Sequence, residues 1–271
     1  MQILANMIYW GSYLVFGLLV WAAYAQWWWL VVLCILYVYM RWVEPQWIAV
    51  REYGSGKLKI AVVSDLHLGA YKGRRFLERV VRIVNDLRVD VVLLPGDFVY
   101  AAGDPEELLA PLRQIEAPMY GVLGNHDLEP TGEFSCGEMY RILTALGVEM
   151  IDNRAVKMGR FDLVGIGSLM AGDDRYDAVN EVRGEVLVLA HNPDCAHRFK
   201  NKDVKMMICG HTHGGQIRVP WLYKKVIPCD EDFDTGLHMV NGMAVFVSGG
   251  LGEVVLPLRM GVRPEIVVLN V

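Results

Sequence analysis

The pattern of apolar and polar positions changes character near residue 41. Residues 1–40 are almost wholly apolar and contain no Asp, Glu, Lys or Arg. Beyond them, short apolar blocks alternate with polar turns. Trp47 to Arg51 reads as an edge strand, and Gly54-Ser55-Gly56 as a turn. Ile60 to Ser64 predicts the first central strand. From Arg74 to Leu87, apolar residues at 76, 80, 81, 83, 84 and 87 keep a helical period. Val91 to Leu94 and Tyr120 to Leu123 predict strands, while Glu106 to Ile115 and Glu138 to Leu146 predict helices. Short strands follow at 148–151, 155–158, 161–165, 186–190, 206–209, 244–247 and 265–269. Strand and helix alternate in the first half, as in βαβ units, and the second half is strand-rich. An α/β fold built as a two-sheet sandwich flanked by helices accommodates both halves.

The apolar leader needs its own account. As one helix, forty residues would run ~60 Å, about twice the ~30 Å hydrocarbon core of a bilayer. Two shorter spans joined near Gln26 fit better, so residues 1–41 are expected to form a transmembrane hairpin and 42–271 a separate domain. Five of the eight tryptophans lie in the leader. Trp27, Trp28 and Trp29 beside the turn, with Tyr39 and Trp42 at the exit, read as interfacial aromatic belts. A buried soluble hairpin and a cleaved signal peptide are the alternatives. Ala23-Tyr24-Ala25 has the small-x-small form of a cleavage site, yet no basic segment precedes it and a further apolar run follows. A hairpin returns the chain to its starting side, where Arg41 and Arg51 favour a cytoplasmic face.

The net charge is −5, all of it after residue 40, with no basic stripe or arginine-rich arm, so nucleic acid is not an expected partner. The five cysteines are scattered without CxxC spacing and read as small buried residues of a reducing compartment.

Five of the seven histidines fall in short islands after the predicted strands. These islands are Asp65-Leu66-His67, Gly96-Asp97, Gly124-Asn125-His126-Asp127, Ala190-His191-Asn192-Pro193 and Gly210 to Gln216. Parallel sheets bind ligands beyond the carboxyl ends of their strands, so the islands should meet on one rim. Carboxylates, imidazoles and an amide gathered there suit hard-to-borderline divalent cations. Asp65 and His67, two apart on an extended backbone, should share a face, and the same spacing should bring His211 and His213 together.

These blocks, from Ser64-Asp65-Leu66-His67-Leu68-Gly69 to Gly210-His211-Thr212-His213-Gly214-Gly215-Gln216, resemble those of the calcineurin-like metallophosphoesterases. The likeness runs from about residue 58 to the C-terminus with every block in order. The apolar leader, the 214–220 continuation and Arg263-Pro264-Glu265 resemble the membrane-tethered bacterial branch, which includes phosphodiesterases and UDP-diacylglucosamine pyrophosphatases of lipid A synthesis.

The resemblance implies an αββα fold and two divalent metal ions, Mn, Fe or Zn. Asp65, His67 and His213 would hold one ion, and Asn125, His191 and His211 the other, with Asp97 bridging. Such a pair activates a water and clamps phosphoryl oxygens. His126 would protonate or hydrogen-bond the leaving oxygen, with Asp127 orienting its ring. The implied enzyme is a membrane-anchored phosphohydrolase at the cytoplasmic face of the bacterial inner membrane, cleaving a phosphodiester or pyrophosphate bond in a nucleotide-linked lipid. A general phosphodiesterase or phosphatase without lipid preference, and a silent membrane scaffold, are the alternatives.

The remaining candidates have plainer readings. His197 in a short helix and His238 in a polar loop read as surface residues. Lys72, Arg74 and Arg75 start a helix and read as a solvated face, with contact to a substrate phosphate as the alternative. Trp221 to Lys225 is either ordinary loop packing or a contact with lipid.

Overall fold

In a computed structural model that describes residues 2–25, 27–101, 103–128, 134–199, 204–229 and 233–271, the apolar blocks pair into two six-stranded sheets. The first half supplies β1 (Ala49–Gly54), β2 (Lys59–Val62), β3 (Leu68–Gly69), β4 (Val91–Leu94), β5 (Val99–Tyr100), β6 (Met119–Gly121) and β7 (Val148–Met150). The second supplies β8 (Ala155–Met158), β9 (Phe161–Gly165), β10 (Glu185–Leu189), β11 (Val204–Cys209), β12 (Gly236–Val240), β13 (Met243–Val247) and β14 (Glu265–Asn270). One sheet runs β1-β14-β2-β4-β6-β7 and the other β12-β13-β11-β10-β9-β8, while β3 and β5 form a small ribbon. Strands β2, β4, β6 and β7 are mutually parallel, as are β9, β10, β11 and β13; β8 and β12 close the second sheet antiparallel.

Side-chain alternation assigns the faces. Ile60 and Val62 of β2 pack between the sheets against Leu93, Leu163, Leu187 and Ile208. Ala61 between them, and Val63, face the opposite core under α3 (Arg74–Asp86). That helix buries Phe76, Leu77, Val80, Val81 and Val84, the face its sequence period predicts. Ser135 caps α5 (Cys136–Ala145) in a capping box, with its backbone N–H donating to Glu138 at 2.8 Å. The second sheet buries its outer face under α6 (Ala178–Glu181) and the 3-10 helix Pro193–Arg198.

Three expectations change. The helix over 106–115 divides into α4 (Pro105–Leu109) and a 3-10 helix (Ala110–Gln114), because Pro111 has no N–H to continue an α-helix. His238 lies on β12, not in a loop, half-buried 3.8 Å from the Asp234 carboxylate. Lys72 is buried rather than solvated, 3.2 Å from Glu253, and its amine also donates to the Pro45 carbonyl.

At the N-terminus, α1 (Gln2–Tyr24) packs against α2 (Trp28–Val38), which continues through a π-helical turn (Tyr39–Val43) and a 3-10 turn (Glu44–Gln46). The expected turn residue Gln26 lies outside the described residues. Trp28–Gln46, 19 residues, is the one run among the described residues long and apolar enough to cross a membrane. Side chains such as Trp10, Leu14, Trp28, Val32 and Ile35 are exposed, as a lipid-facing hairpin requires and a buried soluble one does not. Trp42 instead packs against Tyr13, Phe16 and Tyr37. The end of this hairpin is fastened to the domain: Arg41 and Glu44 are buried, and the Arg259 N–H donates to the Met40 carbonyl at 3.0 Å.

Candidate metal centre and active-site cavity

Asp65 follows β2, Asp97 follows β4, Asn125 follows β6, His191 follows β10 and His211 follows β11. All five loops therefore open at the carboxyl edge of the parallel strands. The convergence does not come from extended backbone, as expected for Asp65 and His67. Asp65, His67, Asp97, His211 and His213 all have positive φ, between 42° and 72°. Non-glycine residues rarely adopt that conformation, and its cost is retained mostly at functional sites. It also separates His211 from His213, which enter different groups rather than one.

Asp65, His67 and His213 form one buried group of donor atoms; Asp97, His191 and His211 form a second. Nε2 of His67 lies 3.0 Å from Nε2 of His213, which is 3.7 Å from Asp65 Oδ1. Nε2 of His191 lies 3.0 Å from Nδ1 of His211 and 3.1 Å from Asn125 Oδ1. Asp97 Oδ2 stands 3.3 Å from both His67 Nε2 and His191 Nε2, between the groups. All seven expected ligand side chains thus come together.

The tautomers follow from the outer partners. The Pro95 carbonyl accepts from His191 Nδ1 at 2.7 Å, the Pro228 carbonyl from His211 Nε2 at 3.0 Å, and the Gly252 carbonyl from His213 Nδ1 at 3.2 Å. A carbonyl can only accept, so each ring commits a proton outward and turns its other nitrogen inward. His191 Nε2 and His211 Nδ1 then face each other as lone pairs unless a cation lies between them. In the metal-free protein that cation is a proton on His191. Burial opposes it, but the Asp97 carboxylate outweighs burial and raises His191 to about 9. Burial and the neighbouring His191 push His211 down to about 3. Burial and His67 hold His213 well below the imidazole range, so both rings are neutral donors. Burial would raise Asp97, yet His191 and His67 together hold it ionised, well below the usual carboxylate range. A buried set of imidazoles, two aspartates and one amide oxygen fits two borderline divalent ions.

A pH dependence follows. At neutral pH a metal entering the Asn125, His191 and His211 group must displace the His191 proton. Its apparent affinity should fall about tenfold for each pH unit below 9. Manganese titrations at pH 7, 8 and 9 measure this; affinity independent of pH would remove the proton from His191.

Asp127 does not take the role expected of it. Its carboxylate oxygens accept backbone N–H groups from Asp97 (2.8 Å), Phe98 (2.9 Å) and Gly124 (3.0 Å). It braces the loop carrying Asp97 instead of orienting His126. Burial, then the Asp97 charge, pushes it up to about 7. Glycine is required at 124, where a Cβ would collide with the Asp97 carboxylate.

His126 packs edge-on against His67 and Tyr100, with ring centroids 5.1 and 5.5 Å away. Burial pushes it down to about 4, so it is neutral at pH 7 and two added dications would lower it further. As a neutral imidazole it can donate a hydrogen bond to a leaving oxygen, one of the two roles expected of it.

Sequence reasoning missed the support beneath His213. Arg259 is fully buried and donates through Nη2 to the Gly252 carbonyl at 2.6 Å, the same carbonyl that holds His213. Glu253 Oε1 joins Arg259 Nε and Lys72 Nζ, each at 3.2 Å.

Beside the metal ligands lies a cavity of about 580 Å³. Asp97, Asn125, His126, His211 and His213 give it polar lining, and Met170, Ile217, Val226, Val254, Val255 and Leu256 apolar lining. The Gln216 amide holds the apolar loop by donating to the Val254 (3.1 Å) and Leu256 (2.9 Å) carbonyls. Trp221, five residues before Val226, is 91% exposed.

A two-sheet sandwich presenting two adjoining histidine–carboxylate groups is the framework of a metal-dependent hydrolase. The chain belongs to the calcineurin-like phosphoesterase family, whose family model matches residues 58–215, and it is a phosphoester hydrolase of this metal-using family. It is 30% identical over 251 residues to phosphodiesterase YaeI of Escherichia coli K12, covering 86% of this chain and 91% of that one. The metallophosphoesterase YkuE of Bacillus subtilis is 28% identical over 259 residues, covering 86% and 89%. A transmembrane protein with metallophosphoesterase domain from Danio rerio is 30% identical over 232 residues, 77% of this chain and 52% of that longer one. A solved crystal structure superposes with a TM-score of 0.50 at 14% identity over 71% of this chain and 90% of that one, a likeness of fold alone.

Proposed function

We propose that this chain is a membrane-anchored dinuclear hydrolase that cleaves a phosphodiester or pyrophosphate bond next to a lipid moiety. The observation that carries the reading is the cavity: metal-binding side chains and apolar ones line it together, and one of the apolar residues, Val226, follows the exposed Trp221 loop in the chain. A substrate with a charged phosphoryl group and an acyl-bearing substituent matches both kinds of lining, and a nucleotide-linked lipid such as UDP-diacylglucosamine has that form. The relatives named as transmembrane proteins and the Trp28–Gln46 run support membrane association. Arg41 and Arg51 at the exit favour a cytoplasmic-facing domain on the inner membrane.

The residues would divide the work as follows. Asp65, His67 and His213 would hold one ion and Asn125, His191 and His211 the other, with Asp97 between them. When bound, the ions (manganese, iron or zinc) supply Lewis-acid activation of water and neutralise charge at the phosphoryl group. His126, neutral, donates a hydrogen bond to the leaving oxygen. Asp127 and Gly124 hold the Asp97 loop in place. A silent scaffold would have no need to keep all seven donors, and this chain keeps them.

His126→Ala should retain both metals while turnover of an alkyl phosphodiester falls about 10²-fold, the lower range for a positioned proton or hydrogen-bond donor. A nitrophenyl ester, whose leaving group needs little help, should lose less. Loss of metal in this variant would make His126 a ligand.

The substrate reading is tested by hydrolysis in detergent of UDP-diacylglucosamine, other nucleotide diphosphate lipids, bis(4-nitrophenyl) phosphate and 4-nitrophenyl phosphate. Preference for acylated substrates supports it. Equal turnover of the soluble diester favours a general phosphodiesterase, in keeping with the name of the Escherichia coli relative.

A further inference from the structure

A second cavity, of about 450 Å³, opens where the membrane-length run ends. Gln46, the last residue of Trp28–Gln46, forms one wall; Arg74, Arg75 and Arg79 of α3, with Tyr71, line the rest. Arg79 is fixed by the anchor itself, its Nη2 donating to the Gln46 carbonyl at 2.8 Å and the Gln46 side-chain oxygen at 3.1 Å. Arg74 is shared with Glu78 at 3.0 Å. Arg75 is exposed and makes no ion pair or hydrogen bond among the described residues. Lys72 beneath them is committed inward to Glu253 and Pro45. Next to the cavity, Trp47 is half exposed and carries the Arg263 guanidinium 4.2 Å over its ring.

Three guanidinium groups, one of them paired with Glu78, gather where the membrane-length run ends and leave an excess of positive charge there. We infer that this cavity binds the phosphate of an anionic phospholipid, of the phosphatidylglycerol class, with its acyl chains lying along the exposed apolar side chains of α2. Guanidinium forks match phosphate oxygens geometrically, and basic clusters beside a span attract anionic lipids. A zwitterionic headgroup would bring its own cation into a site already rich in them. The Tyr71 hydroxyl donates to the Val255 carbonyl at 2.8 Å, so one side chain joins this cavity to the apolar rim of the catalytic one. A headgroup held here would therefore fix the domain's tilt and keep that rim turned to the bilayer. The inference rests on the membrane-anchored reading but not on any substrate.

The test uses full-length protein in uncharged detergent. Thermal unfolding is followed with dioctanoyl-phosphatidylglycerol, dioctanoyl-phosphatidylcholine or inorganic phosphate, for the parent protein, Arg75→Glu and the double variant Arg74→Gln/Arg75→Gln. Phosphatidylglycerol near 100 times its Kd should raise the parent's midpoint by about 5 °C, with little response to the other two. Both variants should lose the rise while hydrolysing bis(4-nitrophenyl) phosphate at the parent rate, because neither arginine touches the catalytic cavity. An equal rise with phosphatidylcholine would overturn the inference, as would a rise that survives in both variants, which would put the lipid elsewhere. An equal rise with inorganic phosphate would make this a free-anion site. Absence of hydrolysis alongside an intact lipid response would count against the proposed function and leave the headgroup site standing.

Discussion

Asp97→Ala should abolish most activity and reduce metal content from two ions per chain to one or none. Asp97 Oδ2 lies 3.3 Å from an imidazole nitrogen of each donor group. Two dications in a two-metal site stand about 3.5–4 Å apart, and without an anion between them their repulsion opposes joint occupancy. The damage does not end at the metals. Asp97 Oδ1 accepts the His126 N–H at 2.9 Å, and the Asp97 carboxylate is what holds His191 protonated in the metal-free protein. Loss of one electrostatic donor costs about 10²–10³ in turnover, and removal of a charge shared by both ions should cost more, at least about 10³. The measurement is metal analysis by mass spectrometry paired with turnover of bis(4-nitrophenyl) phosphate. Asp97→Asn separates charge from shape: it should resemble alanine in activity while staying nearer the parent in thermal stability. Near-normal turnover with two metals bound to Asp97→Ala would sink the bridging role.

The sequence was most legible where a local rule and the tertiary environment agree. Val91–Leu94 is buried on both faces between parallel neighbours, and a continuous β-branched and leucine run is what that environment demands. The α3 period is clear because one face meets the core and the other meets water. The five islands stood out because each follows such a strand.

What could not be read depends on backbone atoms or on contacts between distant segments. The carbonyls of Pro95, Pro228 and Gly252 set the histidine tautomers, and a carbonyl carries no residue identity. The left-handed backbone at Asp65, His67 and His211 overturned a strand-based argument about side-chain direction, since two-residue spacing places side chains together only on extended chain. The network of Lys72, Glu253 and Arg259 joins segments some 180 residues apart, and each member alone looks like an ordinary surface charge. His238 sits in a strand that polar flanks disguised as a loop, because β12 is an edge strand with one face exposed.

Removal of the anchor should separate chemistry from substrate access. The expected boundary at residue 41 needs adjustment, because the domain itself uses the end of the hairpin: Met40 accepts the Arg259 N–H, and Pro45 accepts from Lys72. Both contacts lead to Glu253 and on to the Gly252 carbonyl that holds His213. A truncated protein beginning at Tyr39 keeps them, whereas one beginning at Val43 leaves the Arg259 N–H without its acceptor. The Tyr39 form should therefore hydrolyse bis(4-nitrophenyl) phosphate at the full-length rate, and the Val43 form should bind metal more weakly. On an acylated nucleotide presented in vesicles, the Tyr39 form should fall about 10²-fold, since the tether holds enzyme and substrate in the same surface layer and raises their effective concentration. Trp221, exposed in the loop that leads to the cavity residue Val226, then supplies part of the remaining interfacial contact. Trp221→Ala in the truncated protein should lower vesicle activity further and leave the soluble diester untouched. Equal vesicle activity of full-length and Tyr39 proteins would remove the lipid substrate from the proposal, while the dinuclear phosphoester hydrolase would stand on its metal ligands alone.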